Sequence, residues 1–103
     1  MYGLDKEEME LLQQIFAGTK GLEEVVLYGS RAKGNYKPFS DIDITLKGEQ
    51  LSDEELTDVQ YQLSESLLPY FCDVSLFHNL TSPSLIDHII RRGKTIYKKN
   101  ISA

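Results

Sequence analysis

A chain of 103 residues, 41% hydrophobic and 26% charged, has enough apolar material for one core and too little length for two ordinary domains, so residues 1–103 are expected to form a single domain. A formal charge of −5 argues against direct nucleic-acid binding, because a surface that tracks phosphates needs an excess of Lys and Arg. No apolar run approaches the roughly 20 residues that span a bilayer, and MYGLDKEEME lacks the basic-then-apolar order of a signal peptide, so a cytoplasmic protein without a membrane partner is expected.

The first element is a helix near residues 5–17. Asp5 and Glu8 have capping-box spacing, Met9, Leu12, Ile15 and Phe16 fall on one stripe with Leu11 beside them, and Gly18 ends the run. Residues 22–28 (LEEVVLY) form a short β-branched stretch stopped by Gly29, which suits a central strand, and Ser30 to Gly34 make a brief helical turn. In the next strand, residues 41–46, period 2 places Asp41, Asp43 and Thr45 on one face and Ile42, Ile44 and Leu46 on the other.

Ser52 and Glu55 have capping-box spacing again, and Leu56, Val59, Leu63 and Leu67 make the stripe of a helix reaching about Leu68, before Pro69. Residues 70–77 (YFCDVSLF) read as a third strand. Thr81 or Ser82 caps a last helix with Pro83 at its first position; Leu85, Ile86, Ile89 and Ile90 face the core, Arg91 and Arg92 lie in the last turn, and Gly93 ends it. Thr95 to Tyr97 add an edge strand. The order predicts an α/β or α+β domain, with a mixed β-sheet of about four strands packed against helices.

Chemistry concentrates at Gly29-Ser30-Arg31-Ala32-Lys33-Gly34 and at Asp41-Ile42-Asp43, with ten residues between Ser30 and Asp41. A glycine directly after a strand lets an anion approach the backbone. The Ser30 hydroxyl adds a donor, and Arg31 or Lys33 would add charge. This makes a phosphate cradle without the Walker pattern. Asp41 and Asp43 lie about 6.6 Å apart on one strand face, where two carboxylates repel unless a cation neutralises them. All-oxygen ligands favour magnesium or manganese. Asp73 interrupts an apolar strand and shares a face with Phe71 and Ser75; a turn cap or a pair with Arg91 would also account for it. If the strands holding Asp41, Asp43 and Asp73 are neighbours, the three acids can hold two metals about 3.5–4 Å apart for in-line displacement at phosphorus.

The remaining candidates carry less. Cys72, the single cysteine, has no internal disulfide partner and reads as a buried structural thiol. His78 and His88 lack a second ligand at zinc spacing and are assigned to the surface or to partner contact. Asn79-Leu80-Thr81 matches a glycosylation sequon, which has no weight without a secretion signal. Tyr36, Tyr61, Tyr70 and Tyr97 read as core-edge residues.

The Gly-Ser, ten residues, Asp-x-Asp pattern with a later third carboxylate resembles the DNA polymerase β-like nucleotidyltransferase superfamily. The short length, Gly-Ser-Arg-Ala-x-Gly, Ser-Asp-Ile-Asp and the closing Gly-Lys-Thr-Ile-Tyr are similar to its minimal nucleotidyltransferase (MNT) branch. The resemblance implies that Gly29 and Ser30 hold the triphosphate, with Arg31 beside them. It implies that Asp41 and Asp43 ligate two magnesium ions, and that Asp73 ligates the catalytic ion and helps activate the acceptor hydroxyl. It further implies transfer of a nucleotidyl group, AMP from ATP or that of another nucleoside triphosphate, to a tyrosine of a helical HEPN-type partner in a toxin–antitoxin hetero-oligomer. A non-catalytic antitoxin that masks its HEPN partner is the alternative. Transfer to a small molecule such as an aminoglycoside ranks last, because no second domain grips such an acceptor.

Overall fold

The computed structural model describes residues 1–99. Helix α1 spans Lys6–Ala17, strand β1 Glu24–Tyr28, the one-turn helix α2 Ser30–Lys33 and strand β2 Ile42–Lys47. Helix α3 follows at Asp53–Ser64, strand β3 at Cys72–Leu76, helix α4 at Pro83–Arg92 and strand β4 at Lys94–Lys98. The strands form one sheet in the order β3-β2-β1-β4. β1 is antiparallel to β2 and to β4, while β2 and β3 are parallel. Parallel neighbours need a long crossover, here the segment that contains α3. The sheet is therefore mixed, as the order of elements predicts. Among the described residues no helix is long and apolar enough to cross a membrane.

The register divides the sheet into two chemically different faces. On one, Val25 lies opposite Leu46 and Leu27 opposite Ile44, while Ile44 and Leu46 are flanked by Val74 and Leu76 of β3. α1 and α3 cover this face through Leu12, Ile15, Phe16, Val59 and Leu63, all buried. The other face carries Val26 and Tyr28 opposite Thr45 and Asp43, with Ser75 and Asp73 beyond them. α4 packs mainly on the β1 part, where Ile89 joins Val26 and Tyr28 in a smaller cluster with Phe77, Leu80 and Leu85 around it. One helix on a four-stranded face leaves its acidic end open.

Local chemistry explains where the elements stop. The Asp5–Glu8 capping box forms as expected, with the Glu8 N–H donating to Asp5 Oδ1 at 2.8 Å and the Asp5 N–H to Glu8 Oε1 at 3.0 Å. The second box does not. Ser52 is the N-cap of α3, but it makes no side-chain bond to the helix backbone and its hydroxyl donates to the Glu55 carboxylate. α3 also ends at Ser64, short of the expected Leu68, because the Ser64 and Ser66 hydroxyls donate back to Tyr61 O and Leu63 O and compete with continuation of the helix. Leu67 consequently leaves the apolar stripe and is 96% exposed. β3 is shorter than the expected 70–77, since Phe77–Asn79 form a 3-10 turn and Phe71 is exposed. Ser82, with its hydroxyl accepting from the Leu85 N–H, caps α4. Ile90, expected in the core, lies on the outer side of that helix.

Phe16 is completely buried, and its ring meets Tyr97 of β4 at 5.7 Å between centroids. Gln13 adds a bond from its side-chain amide to Ile96 O, so α1 holds the β4 edge of the sheet. Phe16→Ala is expected to cost about 3–5 kcal/mol of stability, read from the urea midpoint at an unchanged m-value.

Candidate active site

β2 and β3 run in parallel register, so Asp43 stands directly beside Asp73. Tyr28 is the partner of Asp43 on the opposite flank. Beneath them Ser75 Oγ donates to Thr45 Oγ at 3.0 Å, and Thr45 is wholly buried, which fixes the floor of the cleft. Asp41 does not belong to β2; it is exposed in the loop just before the strand. Sequence periodicity had placed it on the strand beside Asp43.

The charge of this cluster is uncompensated from within. Burial first, then the facing carboxylates of Asp73 and Asp41, push the Asp43 carboxyl above its ordinary value. The Tyr28 hydroxyl is raised as well, by burial and then by Asp73 and Asp43, against the opposing pull of the Ser75 hydroxyl. Among the described residues, the one ion pair joins Arg91 to Asp87. The alternative pairing of Asp73 with Arg91 therefore does not occur.

Gly29 forms the wall between β1 and α2. Its φ of +77° and ψ of −155° fall in a region that is essentially glycine-only, and a Cβ at this position would strike the Asp43 carboxylate. The close approach of backbone and carboxylate thus requires glycine. The Gly29 N–H is not free, since it donates to His88 Nε2 of α4 at 3.2 Å, and the His88 ring stands edge-on to Tyr28. Ser30 is half-buried at the first position of α2.

Arg31 is placed differently from the expectation that it adds charge to a phosphate cradle. It is 1% exposed, with Nε and Nη2 donating to Ser40 O at 3.1 and 2.8 Å and Nη1 to Tyr2 O at 3.0 Å. Its guanidinium lies 4.4 Å from the Tyr70 ring centroid and 5.5 Å from that of Tyr36. A planar cation with several donors suits carbonyl clamping and aromatic stacking. Arg31 therefore ties the N-terminal loop to the residue immediately before Asp41, and it does not face the cleft. The half-buried Cys72 thiol is pushed up to about 11, chiefly by burial, as suits an unreactive packing group.

Asp43, Asp73 and the Ser30 hydroxyl are hard oxygen donors, and two adjacent carboxylates without a basic partner suit a divalent cation such as magnesium. Among the described residues, however, no three Asp, Glu, His or Cys side chains are gathered into a metal-holding group. The expected three-acid cage is reduced to the Asp43–Asp73 pair, with Asp41 in the adjoining loop. Mutual repulsion keeps three such anions from closing on one point by themselves.

The polymerase β nucleotidyltransferase family matches residues 10–102, which is nearly the whole chain and every residue of this cleft. The chain belongs to this nucleotidyltransferase family. Solved structures of MNT-type proteins share the fold. One is a toxin–antitoxin complex with AMP-PNP, at a TM-score of 0.71 and 19% identity over 88% of this chain and 73% of that one. Another is the Shewanella oneidensis complex of a tri-AMPylated HEPN toxin with its MNT antitoxin, at 0.63 and 18% over 88% and 73%. A third is the MntA–HepT toxin–antitoxin pair, at 0.58 and 19% over 90% and 68%. Among curated proteins, none matches the chain significantly.

Three residues of the cleft had no role there in the sequence reading, and one of them, His88, expected at the surface or in partner contact, is half-buried and accepts the Gly29 N–H. Ser75 stands two positions after Asp73, and Tyr28 directly precedes Gly29, so both were reachable by strand alternation. His88 is 59 positions from Gly29 and carries no local signal.

Two outcomes follow from the half-buried Asp43 and the buried Arg31. The folded Asp43 carboxyl binds its proton more tightly than an unfolded one. Its stabilising contribution is therefore present below the ordinary pKa near 3.8 and is lost as pH rises through that value towards the raised one. Asp43→Asn is thus expected to melt higher than wild type at pH 7, with the gap closing below about pH 3.8, in calorimetric scans across pH. Arg31→Lys keeps the charge, but one ammonium cannot serve both Ser40 O and Tyr2 O, so a loss of about 1–3 kcal/mol is expected in urea unfolding.

Proposed function

We propose that this protein transfers a nucleotidyl group, AMP from ATP in the simplest case, to a tyrosine hydroxyl of a helical HEPN-type partner. The observation that carries the reading is the Asp43–Asp73 pair set against the Gly29 backbone, in a chain of the nucleotidyltransferase family. The fold neighbours described as toxin–antitoxin complexes, one with AMP-PNP and one with a tri-AMPylated HEPN toxin, support this choice of nucleotide and partner. A cytoplasmic setting suits it.

In this reading Gly29 and Ser30 receive the triphosphate, the glycine by allowing close approach and the serine by donating its hydroxyl. Asp41, Asp43 and Asp73 would hold two magnesium ions, which offset the phosphate charge and lower the pKa of the acceptor hydroxyl. Asp41 would have to join the pair from its loop, which Arg31 holds through Ser40 O. The acceptor oxygen bonds to the α-phosphorus as the bond from that phosphorus to the bridging oxygen breaks, and pyrophosphate leaves with the electron pair. The hydroxyl proton passes to an Asp73 carboxylate oxygen. The acceptor lies on the partner, for which the strongly exposed Phe39 beside Asp41, together with Tyr70 and Leu80, offers apolar contact.

Asp73→Asn tests the assignment. It is expected to keep most of the affinity for ATP with magnesium and to lose more than about a hundredfold in transfer, measured as added AMP mass on a co-expressed partner. Undiminished transfer would make Asp73 a structural acid. Full neutralisation of partner toxicity by a variant that adds no AMP would favour masking over catalysis.

A further inference from the structure

The first backbone N–H beyond β1 belongs to Gly29, and no strand receives it, because the β1–β4 ladder ends at the pair Leu27 and Lys94. A buried backbone donor without an acceptor is costly, and α2, at four residues, is too short to hold its own start. The acceptor comes from α4, where His88 Nε2 takes the Gly29 N–H at 3.2 Å. A ring nitrogen that accepts carries no proton, so His88 acts here as a neutral imidazole with its hydrogen on Nδ1. Its neighbours hold the ring in place. It stands edge-on to Tyr28 at 6.2 Å between centroids, and the next residue, Ile89, is buried against Val26 and Tyr28.

On its other side Gly29 approaches the Asp43 carboxylate so closely that a Cβ would strike it. Glycine at a φ of +77° has no side chain to restrict the turn, so an anchor must come from elsewhere. The backbone that carries Ser30 is thus held between an acid of β2 and an imidazole of α4. Packing alone would account for a ring against Tyr28, but it would not require a nitrogen aimed at the donor of the segment that joins β1 to Ser30. One hydrogen bond is a small part of the stability of a domain. A displacement of about 1 Å between reacting groups, by contrast, can cost about a hundredfold in rate.

We propose that His88 is a positioning residue for nucleotidyl transfer: its unprotonated Nε2 holds the Gly29–Ser30 turn against Asp43, so that the turn and the acid keep one spacing. The proposal rests on the reading of the cleft as a nucleotidyl-transfer site. Substitutions at 88 separate acceptor chemistry from packing. Glutamine carries Oε1 as many bonds from Cβ as Nε2 is, whereas the asparagine oxygen stops one bond short. The cavity of about 620 Å³ that His88 lines with Lys33 and Lys94 leaves room for either. In the full chain, His88→Asn is expected to exchange the Gly29 amide hydrogen at least about tenfold faster, followed by NMR. It is also expected to lower kcat for AMP transfer to a co-expressed partner at least about tenfold, with KM for magnesium-ATP within about threefold of wild type. His88→Gln is expected to restore most of both. If the asparagine variant unfolds, His88→Leu, which keeps the bulk without an acceptor, is expected to show the same two losses. Undiminished kcat in a folded Asn or Leu variant whose Gly29 amide has lost protection overturns the role. So does a Gln variant that regains the protection and not the rate, since the ring itself would then be what matters. Wild type that adds no AMP while its Gly29 amide is protected would instead overturn the underlying transfer reading, and this role with it.

Discussion

The parallel pairing of β2 with β3 places one carboxylate beside another, and much of the molecule can be understood as the means of holding that arrangement. Asp43 gains nothing from its neighbour; burial and the facing Asp73 carboxylate both oppose its ionised form. The position is kept because the opposite face of the same strands is wholly apolar. Ile44 and Leu46 are completely buried, and Val74 and Leu76 nearly so. Burial of side chains of this size is worth about 1.5–3 kcal/mol each. A slip of one residue would exchange the acid and apolar faces, so the hydrophobic energy of one face fixes the acid register of the other.

Arg31 extends the same logic to the loop. A buried guanidinium is costly to desolvate, and this one is offset by carbonyl dipoles and two aromatic faces without any carboxylate. Had an acid been its partner, the positive charge would have been neutralised locally. Carbonyl ligation leaves the acids of the cleft free of a basic neighbour, and it anchors the chain one residue before Asp41.

Helix caps, the strand with alternating Asp and Ile, and the Gly-Ser word were legible in the sequence because each is a local pattern whose meaning depends on a few neighbouring residues. The errors arose where local options competed. Ser64 and Ser66 end α3 by bonding backward, although Leu67 continues the helical stripe. Asp41 satisfies strand alternation but falls outside the ladder. Arg31 and Lys33 belong to the same short word, and nothing in that word tells that one is buried under two tyrosines while the other lines a cavity with residues more than fifty positions away. Long-range packing decides between them, and that short word carries no pattern that encodes it.

The net charge of −5 conceals a division that matters more than the sum. Acids gather at the β2–β3 end of one sheet face, cations gather where α2, α4 and β4 meet, and Gly29 stands between them. An average over the surface bears on extended contact with nucleic acid, yet it says little about a site a few residues across, where the field is set by the nearest charges. His88 joins the two ends mechanically, with its ring against Tyr28 on the acidic side and its Nε2 on the Gly29 N–H. α4 thereby does more than cover Val26 and Tyr28: its packing fixes where the basic group stands relative to the acidic pair.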